Sequence, residues 1–466
     1  MTAVGAHEPT STVLSWPRQL DPAERYFWLL DRLACATVGA IAELDRVLTR
    51  GELAAALAAV QRQHPLLRAR IEVVDGQPLL VEAFEPIPLT MRDGDTAGWT
   101  VDLAALLDQP FPEDAGPMVR LVSLPLGAEH SAVTLLVHHA LIDGRGAAAA
   151  LQQVLRSAES GASADSSAMA ISPLPPLHDR FPPERRAARA VRDVLSDVRA
   201  ERAGRPAPDG YPFHSRHVPT RRTRLHAIVV EPVGQLVSAA RDAKATVHGL
   251  VAAAALQSAA ALVAEDRQLT LAVASPTDLR VPVEPPSSDD EVTMATGLLC
   301  TPYTVDAEVP ELARRISAQT HRELARGESH LFYRLARAGS FAATESGLDE
   351  FASWLGAAAP NIGVSNVGVV ESGSDPAWMR SFSLALSPSA NQLAFVGLTT
   401  YRDRLTMLVT TDEEKLPRPV ADAFVTGLAR RVGARRWPGS AAPSVEHAAT
   451  GRRPLGAAAR TASSPA

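Results

Sequence analysis

The stretch Val133-Thr-Leu-Leu-Val-His138-His139-Ala-Leu-Ile-Asp143-Gly144 constrains this chain more than any other. Its leading residues are β-branched or aliphatic and read as a buried strand. Two histidines stand where that strand ends. Asp143 and Gly144 follow a one-turn loop, and the run from Gly144 to Leu155 reads as the next helix. A histidine at a strand end can be held rigidly with one face open to a cleft, which suits a general base. The aspartate four residues later curls back under the strand end, where pairing with an arginine would fix the loop. Gly144 lets the backbone turn tightly and leaves space for a substrate. Adjacent histidines also suit a packed or surface pair, and they suit a metal. Neither HExxH nor a Cys/His cluster supplies the further ligands, so no metal is expected.

The 466 residues suit two domains, each with its own core. A formal net charge of −6 gives no reason to expect nucleic-acid binding. Cys35 and Cys300 are too few for a disulfide framework, so a reducing cytoplasm is the expected compartment. The first residues lack the basic and apolar regions of a signal peptide, and no run approaches the roughly 18 apolar residues of a membrane span.

Along the chain, residues 1–15 read as mobile. Asp21-Pro-Ala-Glu24 and Thr49-Arg-Gly-Glu52 read as capped helix starts. The second helix ends near Gln63-His64-Pro65, and a strand over 66–74 turns at Asp75-Gly76, a type I′ hairpin signal, into a second strand. Strands over 118–125 and 131–137 follow, the latter carrying the histidines. Residues 157–180 are polar, small and proline-rich, a linker signature. The arginine-rich segment 180–224 reads either as a solvated helix face or as a docking face for an acidic carrier or a phosphate. Thr246 caps an alanine-rich helix that must pack closely. Further strands over 223–230, 269–274, 382–386, 393–400 and 405–410 and helices over 310–326, 348–355 and 418–432 complete the pattern. Residues after about 437 carry no apolar period and read as a disordered tail.

The pattern HHxxxDG in a strand–loop–helix context resembles the active-site motif of the chloramphenicol acetyltransferase-like superfamily. That group includes nonribosomal-peptide condensation domains, plant BAHD acyltransferases and mycobacterial polyketide-associated acyltransferases. His64-Pro-Leu-Leu-Arg68 resembles a second condensation-domain motif, with Gln63 where that motif has arginine. Asp278-Leu-Arg280 resembles the DLR element of the polyketide-associated enzymes, and Ser365-Asn366-Val-Gly368 an SNxG element bordering the cleft. The resemblance covers roughly residues 10–435. The plant DFGWG motif is absent, so a BAHD enzyme proper is not implied.

The resemblance implies an α/β fold of two chloramphenicol acetyltransferase-like lobes, a pseudo-dimer with a tunnel between them. The first lobe would span 1–160, a linker 161–190 and the second lobe 191–436. Alternation of strands and helices in both halves agrees with this independently. It implies His139 as general base, His138 as an orienting or packing residue, and Asp143 as a loop-shaping partner with Arg68 as its arginine. Gly144, Ser365 or Asn366 would meet the oxyanion. Arg280 lies near the cleft as a substrate-binding candidate or pairs with a carboxylate. Cys300 reads as a buried small residue. The implied chemistry is acyl transfer from acyl-CoA or an acyl carrier protein to a small-molecule hydroxyl, closest to the phthiocerol/phthiodiolone dimycocerosyl transferases. Amide formation, or a non-catalytic carrier-binding module, is the alternative. No cofactor beyond the donor is implied, and a monomer is expected.

Overall fold

The computed structural model describes residues 16–436 apart from 93–98, 113–114, 162–174, 211–221, 264–267, 282, 285–286, 289, 336–340 and 359. The expected mobile start and disordered tail therefore lie outside the described residues.

The first part builds β1 (Arg18–Gln19), α1 (Pro22–Leu33), β2 (Thr37–Leu44), α2 (Arg50–Gln63), β3 (Ala69–Val74), β4 (Gln77–Glu82), β5 (Leu89–Met91), α3 (Trp99–Leu107), β6 (Val119–Pro125), β7 (Ser131–His138) and α4 (Gly144–Ser160). Local chemistry starts and stops most of these elements where expected, but the strand expected over 66–74 begins only at Ala69, after a 3-10 turn over Pro65–Arg68. Asp21 and Glu24 exchange side-chain and backbone hydrogen bonds at the head of α1, and Thr49 and Glu52 do the same for α2. Asp75 and Gly76 adopt φ of 50° and 74°, the left-handed pair that a type I′ turn requires. Gly161, also left-handed, ends α4 three residues beyond the expected fade at Ser157.

The second part builds α5 (Pro183–Arg186), α6 (Ala188–Arg202), β8 (Thr223–Val230), α7 (Gly234–Asp242), α8 (Val247–Ala260), β9 (Thr270–Asp278), β10 (Thr296–Thr304), α9 (Val309–Arg326), α10 (Leu331–Leu335), α11 (Glu345–Ala357), β11 (Asn361–Val369), β12 (Met379–Leu386), β13 (Gln392–Tyr401), β14 (Arg404–Asp412), α12 (Arg418–Arg431) and β15 (Arg435–Arg436). Ala252, Ala253, Ala254, Ala255 and Ala259 of α8 are fully buried and let α9 and α12 close on it, as its composition requires.

Two large sheets organise the molecule. One runs β12-β2-β7-β6-β5 and the other β10-β9-β11-β13-β14-β8-β15; β1, β4 and β3 form a small third sheet. Each large sheet has its own apolar core, one around Ile41, Leu135 and Leu155, the other around Val251, Val396 and Leu428. No helix among the described residues is long and apolar enough to cross a membrane.

The lobes are not contiguous pieces of chain. β12 leaves the second half and pairs antiparallel with β2, Leu386 opposite Val38 and Leu384 opposite Ala40. Otherwise β2, buried along almost its whole length, would be an open apolar edge. Gly397 on β13 makes the crossing possible: a Cβ there would meet the Leu384 carbonyl at 2.8 Å. Phe351 and Leu355 of α11 also join the first core. The expected boundary at 191 is therefore crossed back by later chain. Nor is the linker a loose tether throughout. Leu177, Arg180 and Phe181 are buried, and Arg180 reaches Glu291 at 2.8 Å.

Candidate active site

β7 is buried at every position and delivers both histidines to its C-terminal end, in the seam between the two large sheets. The two side chains then part company. His138 is buried with its Nδ1 accepting the Ala140 N–H at 3.1 Å and its Nε2 3.5 Å from Asp31 Oδ2. Asp31 in turn accepts the Ala36 N–H at 2.8 Å. His138 thus ties the loop to α1 and is not among the residues that line the cavity.

His139 turns the other way and lines a cavity of about 110 Å³. Its ring stacks on Phe27 of α1, centroids 3.8 Å apart and planes 19° from parallel. Its backbone N–H donates to the Ala36 carbonyl at 2.8 Å. Burial drives the imidazole pKa down to about 4, against the opposing pull of nearby backbone groups and the Asp143 charge. The ring is therefore neutral at ordinary pH, the state a proton acceptor needs.

Asp143 caps α4 and is the most fully bonded group in the site. Its Oδ1 accepts from the Gly146 amide at 2.8 Å and from Arg280 Nη2 at 2.8 Å. Its Oδ2 accepts from Arg280 Nη1 and the Ala295 amide, both at 2.9 Å, and from Thr296 Oγ1 at 3.4 Å. Burial alone would raise this carboxyl's pKa, but the Arg280 guanidinium and the two amides outweigh it and hold the acid below the usual range. The pair is fork-to-fork and stays charged on both sides.

This corrects one expectation. Arg68 does not hold Asp143: it lies at the start of the small-sheet hairpin and pairs with Glu82 at 2.7 Å. Arg280, expected either at the substrate or paired with a carboxylate, supplies the fork instead. It also reaches Asp278 at 3.2 Å and the Thr293 carbonyl at 3.3 Å, so its donors are turned into the protein. Charge drives the choice, since a buried carboxylate needs a buried cation and Arg68 sits beside a closer acid.

Gly144 opens α4 at the cavity wall, but a Cβ there would make only ordinary contacts with Val367 and Leu384. Gly146 is the position that needs glycine: its Cβ would meet Ile142 Cγ2 and the Thr293 carbonyl at 2.8 Å. The crossing segment at Thr293 can close on the loop only because residue 146 has no side chain. Ser365 and Asn366 on β11 line the cavity as expected, with Asn366 Oδ1 taking the Gly368 N–H at 2.9 Å.

Residues 215–407 match the family model of the phthiocerol/phthiodiolone dimycocerosyl transferase C-terminus. No curated protein matches the chain in sequence. Among solved structures, the trichothecene 15-O-acetyltransferase from Fusarium sporotrichioides superposes with a TM-score of 0.66 at 13% identity, over 89% of this chain and 94% of its own. The first condensation domain of the calcium-dependent antibiotic synthetase gives 0.62 at 17%, over 90% and 97%. Polyketide synthase associated protein 5 from Mycobacterium tuberculosis gives 0.59 at 15%, over 89% and 98%. The chain has the condensation-domain fold.

In this condensation-domain fold the cavity is shared between the lobes. The first contributes His139, Gly144 and Arg145; the second contributes Asp278, Thr296 and Ser365. Arg145 spans the seam to Asp278 at 2.8 Å. The crossover strand adds Leu384 and Leu386 as an apolar wall. Sequence reasoning missed Asp31, Gly146 and that wall. Only Gly146 left a local signal, as the second glycine of Gly144-Arg-Gly146. Cys300, on β10, has its thiol pushed up to about 11 by burial and is no thiolate.

Proposed function

We propose that the chain is an O-acyltransferase, moving an acyl group from a CoA or carrier-protein thioester to a hydroxyl of a lipid, polyketide or other natural product. One observation carries this reading: a neutral, buried imidazole fixed against Phe27 at the rim of an interlobe cavity, on a loop clamped by a cross-lobe ion pair. That arrangement suits a general base more than a ligand or a packing residue.

In this mechanism His139 takes the proton of the acceptor hydroxyl as its oxygen attacks the thioester carbonyl. The C–O bond forms and the carbonyl becomes an oxyanion. The Gly144 amide at the head of α4 and the Ser365–Asn366 pair are the donors available to it at the cavity wall. The tetrahedral centre collapses, the C–S bond breaks, and the imidazolium returns its proton to the leaving thiolate. Asp143 does not take part in proton transfer; it keeps the loop shaped through Arg280.

The match to a dimycocerosyl transferase C-terminus and the likeness to an O-acetyltransferase support the ester product. The likeness to a condensation domain supports an amide, since one histidine base serves either nucleophile. A thiol-release assay decides between them. Acyl-CoA and acyl-loaded carrier donors are offered with mixed alcohol and amine acceptors, to wild type and His139→Ala. Acceptor-dependent release that the variant lacks establishes acyl transfer, and the nucleophile used names the product. Equal release by both proteins removes His139 as the base.

A further inference from the structure

The cavity beside His139 has one phenyl ring in its wall. Phe395 stands on β13, is buried, and lines the cavity together with Leu384, Leu386 and Leu398. Its neighbours across the sheet are unusually small. In register, Phe395 lies beside Gly363 of β11, Gly363 beside Ala274 of β9, and Ala274 beside Cys300 of β10. Residues paired this way share one face of the sheet. The ring lies over the space that the glycines leave empty. A Cβ at Gly363 would come within 2.6 Å of Phe395 Cδ2, and one at Gly397 within 3.5 Å of Cε1. An aromatic ring covering a cross-strand glycine is a stable pairing.

At about 110 Å³ the cavity is smaller than an engineered apolar cavity of roughly 150 Å³ that accepts benzene, so it holds a chain of about four carbons. Without the ring, the cavity would gain the ring's own volume above Gly363, beside the Gln392 side chain, whose Nε2 lies 2.7 Å from where a Gly363 Cβ would stand.

We propose that Phe395 is the specificity-determining residue for acyl chain length, restricting the donor to short acyl groups. This rests on the acyl-transfer reading above. The chain's apolar end would stop against the ring while its carbonyl stays at His139.

The test is calorimetric binding of non-hydrolysable S-alkyl pantetheine thioethers, from two to twelve carbons, to wild type, Phe395→Ala, Phe395→Leu and Gly363→Ala. Melting temperatures check that each variant is folded. Wild type should bind best at about four carbons or fewer and lose about tenfold or more by eight, because the extra methylenes find no apolar space. Phe395→Ala should move the optimum to eight or longer, with Phe395→Leu between the two. Gly363→Ala should shift it the opposite way by pushing the ring into the cavity. The same length profile in wild type and Phe395→Ala would overturn the proposal, as would a wild type that binds no analogue of any length. Binding needs no turnover, so a shift in profile sustains the role of Phe395 even where the thiol-release assay finds no acyl transfer. An unchanged profile in an active enzyme overturns that role alone.

Discussion

In the first lobe β7 pairs with β2, Thr37 opposite His138; in the second β14 pairs with β8, Thr223 opposite Asp412. Counting on from these matched positions, His139 corresponds to Glu413, Asp143 to Pro417, and Gly144 at the head of α4 to Arg418 at the head of α12. Both lobes thus use a strand, a five-residue loop and a helix at the same place. In the first, the loop presents a neutral imidazole to a cavity and buries a carboxylate against Arg280 from the other lobe. In the second, the loop buries Lys415, whose ammonium donates to the Ser389 and Ala390 carbonyls at 2.9 and 2.7 Å. Those carbonyls follow the crossover strand β12, and Thr410 on β14 donates to the Leu386 carbonyl at 2.6 Å. One loop makes the site while its counterpart anchors the strand that walls it. An inherited geometry can therefore keep its shape in both lobes and its chemistry in one.

The sharpest way to break this comparison is to exchange the fates of the two loops. His139→Ala should lower kcat/KM by about 10²–10⁴-fold with the fold intact, whereas Glu413→Ala at the matched position should leave it unchanged. Steady-state kinetics on both variants checks this, and comparable losses would end the assignment of the loops to different tasks. Arg280→Ala should cost about 3–5 kcal/mol in denaturant unfolding, because it strands a buried carboxylate. It should also abolish activity, since Asp143 then loses its clamp.

The protonation of His139 gives a pH signature. The folded ring stays neutral down to about 4, while an unfolded histidine takes its proton near 6.5. Between those values the unfolded chain binds the extra proton, so stability is full above 6.5 and falls as pH drops through the window, by a few kcal/mol at most. His248 and His330, also held near 4 chiefly by burial, act in the same direction. Melting curves at pH 7.5 and 5 should show a smaller loss for His139→Gln than for wild type. Identical losses would show that His139 does not titrate low.

Lys415→Met should cost about 1–3 kcal/mol by leaving two buried carbonyls without a donor. It should raise KM more than it lowers kcat, because it loosens the wall and not the base. Smallest of all, Arg68→Ala should change stability by under about 1 kcal/mol and leave turnover alone, since its pair with Glu82 is partly solvated. A large effect there would mean that Arg68, not Arg280, supports the active loop.

Much of this was legible in the chain itself. Capping pairs, the Asp75-Gly76 turn, the strand that ends in two histidines and the cavity-lining Ser365 and Asn366 all follow from short-range pattern, because each is decided within a few residues. What escaped was decided across the seam. Arg68 and Arg280 both stand in plausible motifs, and only their three-dimensional surroundings show which guanidinium meets a carboxylate without a nearer acid. β12 reads as an ordinary strand, and nothing in its alternation says that its partner is β2, more than 300 residues earlier. The separate duties of His138 and His139 likewise depend on Asp31 and Phe27, which α1 brings in from the other side.

The clamp on Asp143 has a further consequence for how such a protein comes into being. Arg280 lies 137 residues downstream of the carboxylate it holds. A ribosome releases the histidine loop well before it makes the guanidinium that shapes it. During that interval the emerging chain carries His139 on an unclamped loop and lacks the opposite wall of the cavity. The cavity is therefore complete only once the strands of the second lobe have been made and folded against the first.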